Sequence, residues 1–264
     1  MRSIFSILTI AFCLLLAMGG LVKAENITII AEVNGKPVSE GNVWRPVAWL
    51  ELHHPNVDAA TLTEIDLREA TRRLQNQIKR ILWTEAIEAH GIEPTPEEVE
   101  EALQIRLAEV VENTGRSLEE NLQIIQRQYL IVDALRVVHE NPAAMESIYA
   151  EMLEPAGIEE HHWKVHAATY LEKPERIDEL EANIPKTVED TIEQTRAGVT
   201  LHLKSSMMDQ YFLDMAGNQE DAEALKAQYL LEALAAADVV VHDEQLVGAV
   251  DDLKNQLSDQ AQGT

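Results

Sequence analysis

Apolar residues recur at three- and four-residue steps over much of the chain, with charged and amide residues between them. The clearest run starts near Asp66 and ends at His90-Gly91. This spacing is that of one face of an α-helix. A glycine directly after the run is a common helix end, because glycine adopts a left-handed backbone without strain. The pattern therefore predicts a long amphipathic helix. Its apolar positions are Leu67, Ala70, Leu74, Ile78, Ile81, Leu82 and Ile87.

Two further helix starts follow, each marked by a capping box. Thr95 precedes Pro96 and is followed three residues later by Glu98, and Ser117 and Glu120 have the same spacing. In this motif the hydroxyl and the carboxylate each bind a backbone amide at the start of the helix, while proline suits the first helical position. With the first helix, these starts predict an antiparallel unit of three helices joined by short loops.

A small β-hairpin is predicted before the helices. β-branched residues lie on both sides of Asn34-Gly35, a pair that favours a tight turn with positive φ. The pattern predicts two short strands and no larger sheet. From Val43 to Thr63 the hydrophobic pattern is irregular.

Beyond Pro142 the signals are weaker. Residues 143–153 and the segment between Pro174 and Pro185 favour helices, and residues 163–170 fit either a strand or one turn of helix. An alanine- and leucine-rich stretch predicts a helix over 221–237. Another helix start is expected near residue 243, with the helix running through Leu253 and a frayed polar tail from Asn255.

These elements predict a mainly α protein with an N-terminal hairpin. Residues 25–141 are expected to form a helical domain, and 142–220 a mostly helical middle region. The helices of 221–264 are expected to pack back on the first domain.

Residues 1–24 are typical of a cleavable secretory signal. Arg2 supplies a positive charge, an apolar run extends from Ile4 to Val22, and Ala24 suits a cleavage site. The alternative is an uncleaved membrane anchor, since about 18 apolar residues are enough to span a bilayer. Cys13 lacks the small preceding residue that a lipid-modified cysteine needs. We therefore expect an exported protein, in the periplasm, with no stable membrane insertion after cleavage.

The composition excludes several classes of partner. The leader carries two basic residues and no acid, so the mature chain has 19 basic and 46 acidic residues, a net charge of −27, and no cysteine. Such a charge argues against nucleic acid and against anionic membranes as partners. The sequence also contains no glycine-rich phosphate loop and no nucleophile elbow. We expect no cofactor and no catalytic residue.

The order of the motifs resembles a known family. A strand with residues 32–38 precedes a long helix that ends in residues 85–92, and residues 94–99 start the next helix. This order is similar to the N-terminal region of the SurA/PrsA/PpiD group of exported chaperones, over residues 28–140. The resemblance implies an ATP-independent chaperone that binds unfolded or partly folded exported polypeptides.

Two alternatives remain open. Members of that group often carry a parvulin prolyl-isomerase domain, which would begin here near Trp163, and a divergent isomerase is the enzyme alternative. The glycine-rich segments of a parvulin are missing, and only Gly198 and Gly217 lie between residues 158 and 240. A four-stranded sheet between residues 160 and 235 would favour the isomerase. The other alternative is an assembly subunit with one fixed protein partner.

Three histidines are candidate metal ligands. His162 and His166 share a helix face if their segment is helical, and His161 is adjacent. The favoured interpretation is that they are solvated loop residues, because the HExxH pattern is absent.

Two groups of large apolar residues are candidates for binding client polypeptides. Aromatic and methionine side chains offer adaptable contact area, although packing in the core is the more frequent use of each. The candidates are Trp44, Trp49, Leu50, Leu52, Met207, Met208, Tyr211 and Phe212, with Met215 beside them.

Overall fold

The computed structural model describes residues 28–171 and 174–262, and within them the prediction of a mainly α protein is confirmed. The strands are β1 (Ile29–Val33), β2 (Lys36–Ser39) and β3 (Val239–Val241). The first helices are α1 (Val47–His53), α2 (Ala59–Ala89), α3 (Pro96–Thr114), α4 (Leu118–Gln126), α5 (Gln128–Glu140) and α6 (Met145–Ile148). The later helices are α7 (Glu160–Tyr170), α8 (Glu175–Asn183), α9 (Val188–Ala216), α10 (Gln219–Ala236) and α11 (Ala249–Ala261). Single helical turns lie at Glu40–Asn42, Pro142–Ala144, Tyr149–Leu153 and Glu244–Leu246.

The predicted hairpin forms, but it is part of a larger sheet. β1 and β2 pair antiparallel, and Asn34 and Gly35 turn between them with φ of 51° and 75°. β3 then pairs antiparallel with the other edge of β1, which gives the order β2-β1-β3. The expectation of a hairpin without a further strand was therefore wrong. Three consecutive β-branched residues near the C-terminus, Val239–Val241, supply the missing strand.

The two helix N-termini that carry a capping box lie where they were predicted. Thr95 and Ser117 each form the complete capping box, with Glu98 and Glu120 as the reciprocal partners. The long helix α2 begins earlier than expected, at Ala59, because the carboxylate of Asp58 caps it by accepting from the amides of Ala60 and Thr61.

Several predicted boundaries need correction. The segment from Val43 to Thr63, expected to be irregular, contains α1. The helix that starts after Ser117 is divided at Arg127 into α4 and α5. Residues 163–170 belong to an eleven-residue helix, α7, and not to a strand. The tail expected to fray from Asn255 is helical to Ala261, because Leu257 is buried and holds the last turns against the core. Three predicted helical segments are confirmed: 143–153, the segment between Pro174 and Pro185, and 221–237.

The described residues form two compact units. The middle unit contains Pro46–His53 and Thr95–Leu201, and the terminal unit contains 28–45, His54–Pro94 and 202–262. These units differ from the predicted division at residues 141 and 220, because α2 is grouped with the C-terminal helices while α3 to α8 form a group of their own.

The core of the middle unit lies among α5, α7 and α8. Trp163 is its largest fully buried side chain. The other buried members are Ile131, Val132, Ala134, Leu135, Val138, Leu153, Ile158, Ala167, Tyr170, Ile177, Leu180 and Ile184.

The terminal unit joins the two ends of the described chain. α11 packs against α10 and α2, so the predicted return of the C-terminal helix to the N-terminal elements is confirmed. Its Leu253 is buried with Leu74 and Ile78 of α2 and with Val33 of β1. The amide of Gln75 also donates to the carbonyl of Ala249 at 3.1 Å.

The predicted leader, residues 1–24, lies outside the described residues. None of the described helices is both long enough and apolar enough to cross a bilayer.

Candidate functional site

Trp44 is held inside the terminal unit. Its ring packs against the core beneath the sheet, and its indole Nε1–H donates to Oδ2 of Asp243 at 2.7 Å. It borders an open cleft of about 490 Å³ together with polar side chains that include Glu40, His242 and Gln245. The indole is thus used mainly for packing and for a polar link between two distant segments.

The apolar candidates on α1 are also structural. Leu50 is buried, Leu52 is half-buried, and the ring of Trp49 stacks on His53 one turn later, with the centroids 3.8 Å apart. All three residues lie on a helix that packs against α7. Burial against a neighbouring helix makes these residues part of the fold of the middle unit.

The second candidate group, on α9, is divided between core and surface. Met208 and Phe212 are buried, and Phe212 contacts the rings of Trp83 and Tyr229. Met207 is half-buried. Tyr211 is 38% exposed and Met215 54% exposed. Only these last two residues, therefore, offer apolar surface to a partner.

A groove that the sequence did not predict lies between α3 and α4 in the middle unit. It measures about 520 Å³ and is lined by Gln104, Leu107, Ala108, Val111, Glu112 and Leu118. Val111 is 39% exposed, and Ile105, which lies one turn before Ala108 on α3, is 56% exposed. We call this feature the α3–α4 groove. It offers an apolar floor with a polar rim to solvent.

Hydrogen bonds at the corner between the two helices fix the shape of the groove. Gly115 ends α3 in the left-handed conformation, with φ of 65°. Asn121, which is buried, donates through its amide to Oγ1 of Thr114 at 3.0 Å and to the carbonyl oxygen of Ser117 at 2.9 Å. A buried amide with several partners restricts the corner to one geometry. The groove is therefore formed before any ligand binds.

The groove lies in a strongly acidic part of the chain. Residues 96–126 contain eight acidic and two basic side chains, a net charge of −6. Hydrogen bonds from the side chains of Gln104 and Arg196 lower the pKa of Glu100, and the backbone amide of Thr95 lowers that of Glu98. These carboxylates consequently stay ionised at neutral pH and below it.

Two of the candidate metal ligands on α7, the buried His166 and the half-buried His162, form a hydrogen-bonded pair on a helix and not part of a solvated loop. His166 is only 3% exposed, and its Nε2 lies 2.9 Å from Nε2 of His162, so one neutral ring donates and the other accepts. Burial lowers the pKa of His166 to about 3, and the neighbouring His162 acts in the same direction. Burial also lowers the pKa of His162, against the opposing effect of Glu159. The expectation of solvated histidines was therefore wrong for this pair.

The third histidine lies apart from that pair. His161 is exposed, and its ring meets His53 of α1 edge-on at 6.0 Å. Within the described residues, no group of three or more histidine, cysteine, aspartate or glutamate side chains is placed to hold a metal ion. Two imidazoles alone are fewer than the three or four protein ligands of a zinc site.

The region in which a parvulin sheet would favour the isomerase alternative is helical. The described residues between 160 and 235 form α7, α8, α9 and α10 and contain no strand. The sheet that would favour an isomerase is thus not found in this part of the described chain.

Comparison of the chain with protein families, with curated proteins and with solved structures finds no match.

Proposed function

We propose that the protein is an exported, ATP-independent chaperone that holds unfolded or partly folded polypeptides. The observation that carries this proposal is the α3–α4 groove, in which the exposed Val111 and the half-buried Leu118 lie over the buried Leu107. Extended clients bind such surfaces with little sequence requirement, because apolar burial is non-directional. The order of motifs over residues 28–140 supports the same function.

The charge of the chain supports this function as well. A protein that exposes apolar surface risks associating with itself. A net charge of −25 opposes that association through repulsion between copies. The combination of an exposed apolar groove and a high like charge is what a soluble holding chaperone requires.

The first prediction is that the chain suppresses the aggregation of an unfolded exported protein without ATP. An outer-membrane protein diluted from denaturant should scatter about half as much light, or less, in the presence of an equimolar amount of this chain. With each protein at about 1 μM, half-binding corresponds to a dissociation constant of about 0.5 μM. Addition of ATP or of a chelator should not change the result.

The control uses two exposed valines of the same unit. Val111→Ser removes apolar area from the groove, whereas Val137→Ser removes it from α5, where the exposed fraction is similar, 43% against 39%. Val111→Ser should bind the client about fivefold more weakly, and Val137→Ser should bind it as wild type does. The expected loss is modest because a valine that is already partly buried can bury only its remaining exposed area against a client. Unchanged scattering with a chain that is folded by circular dichroism would contradict the proposal. A subunit with one fixed partner would then be the better interpretation.

A further inference from the structure

We propose that the α3–α4 groove selects polypeptide segments in which apolar residues are flanked by lysine or arginine. This inference rests on the proposed function and specifies its client class. The groove would take the apolar residues, and the acidic side chains around it would take the basic flanks.

The size of the groove limits the apolar part of the ligand. A volume of about 520 Å³ is that of a site for a few side chains, not for a folded domain. Its fixed corner, held by Asn121 and Gly115, means that little conformational freedom is lost when a client binds. Short apolar segments of an unfolded chain fit this geometry.

The charge around the groove determines which residues are favoured on either side of the apolar part of a bound segment. Glu112 lies in the lining itself, and Glu109 follows Ala108 directly on α3. Glu109 is already paired with Arg106 at 2.9 Å, so this pair adds no net charge, and the half-buried Arg116 lies between the two helices as the second basic side chain. On the α4 side, Glu119 and Glu120 follow Leu118. A segment with acidic flanks would be repelled here, whereas basic flanks are complementary.

A second copy of the chain is a poorer occupant. Its own α3 and α4 would bring another net charge of −6 to the contact, and each whole copy carries −25. Repulsion of this kind disfavours self-association. The electrostatics therefore favour a basic client over a homodimer.

The test uses three labelled peptides with the same apolar residues and with flanks of lysine, serine or glutamate. Fluorescence anisotropy with the full chain in low salt should give the order lysine, serine, glutamate, from tight to weak. Lysine flanks should increase the affinity about tenfold over serine flanks, as expected for a few exposed ion pairs. About 0.5 M salt should remove this difference, because the charges are then screened, while the apolar part of the binding persists.

A charge reversal in the groove identifies the site. Glu112→Lys should abolish the preference for lysine flanks and leave the affinity for serine flanks within about twofold. This substitution places a positive charge near the C-terminal end of α3, which favours the helix. Glu64→Lys makes the same change of charge on an exposed position of α2, outside the groove, and should retain the preference.

The outcomes separate the two proposals. Equal binding of all three peptides would overturn the inference but leave a general chaperone in place. If none of the peptides binds and aggregation is not suppressed, the proposed function itself fails. Concentration-dependent dimerisation that Val111→Ser removes would show that a second copy occupies the groove, which also overturns the inference.

Discussion

A chain that ends at Asp238 is expected to lose the sheet and the core of the terminal unit. This truncation removes β3, which pairs with β1, and α11, which packs on α2 and α10. It also removes Asp243, the hydrogen-bond acceptor of Trp44. The N-terminal strand would be left with one free edge and would lose the part of its cover that α11 supplies.

The size of the effect follows from the side chains that are lost. Leu246, Leu253 and Leu257 are buried to 2% exposure or less. Each buried leucine stabilises the fold by about 1.5–3 kcal/mol, so their sum approaches the whole stability of a domain, about 5–15 kcal/mol. Hydrogen exchange should show slow amides in β1 of the full chain and fast ones in the truncated chain.

A single substitution tests the same core by removing one buried side chain. Leu253→Ala should lower the free energy of unfolding of the terminal unit by about 2–5 kcal/mol, because it leaves a cavity in the core. Val247→Ala, at a site 58% exposed in the same segment, should change it by less than about 0.5 kcal/mol.

Slow exchange of the β1 amides in the chain that ends at Asp238 would show that the N-terminal elements fold without the C-terminal ones.

The difference between local and distant signals explains what the sequence predicts and what it misses. The capping boxes at Thr95 and Ser117 were found because every group that forms them lies within four residues. β3 was missed because its partner, β1, lies about 200 residues earlier. Three valines before a helix-start motif do not indicate by themselves which strand they pair with.

Short helices with few buried residues are the second source of error. α1 has one buried side chain, Leu50, in seven residues. A run of this length shows hardly two turns of the helical period, so its hydrophobic pattern cannot be told from an irregular segment. Its helical state depends on packing against α7, a contact that periodicity does not reveal.

Exposure was the hardest property to predict for the candidate site. The apolar stripes of α2 and α3 have the same period, yet Leu74 and Ile78 of α2 are fully buried while Val111, one turn after the buried Leu107 on α3, is 39% exposed. Periodicity identifies the face of a helix and says nothing about what covers it. For the same reason Met208 and Phe212, candidates for a surface role, were found in the core.

The burial of His166 leads to a prediction about pH. The elements packed against α7 are α1, α5 and the turn at Tyr149–Leu153. The ring of His166 stacks near Tyr170 at 5.8 Å and shares a hydrogen bond with His162. Among the described residues, its Nδ1 has no hydrogen-bond partner. Among the titratable groups around this pair, Glu159 favours a proton on His162, whereas His161 opposes it.

The sign of the effect follows from the lowered pKa. The pKa of His166 is about 3 in the folded chain, against an ordinary value of 6.5. Below pH 6.5 the unfolded chain therefore binds a proton that the folded chain does not, and stability falls as the pH falls from 6.5 toward 3. For this group alone the loss between pH 7 and pH 5 is about 2 kcal/mol.

The measurement compares wild type with His166→Phe, which keeps an aromatic ring beside Tyr170 and removes the titrating group. Urea unfolding followed by tryptophan fluorescence should show that wild type loses about 2 kcal/mol more stability than the variant between pH 7 and pH 5. Carboxylates such as Asp66, whose pKa is raised by burial, titrate in both proteins, so the comparison cancels their effect on stability. His161→Gln, at the exposed neighbouring position, should retain the pH dependence of wild type. Equal pH dependence in wild type and His166→Phe would mean that the ring is accessible to protons in the folded chain, and the buried neutral pair would then be the wrong description of this part of α7.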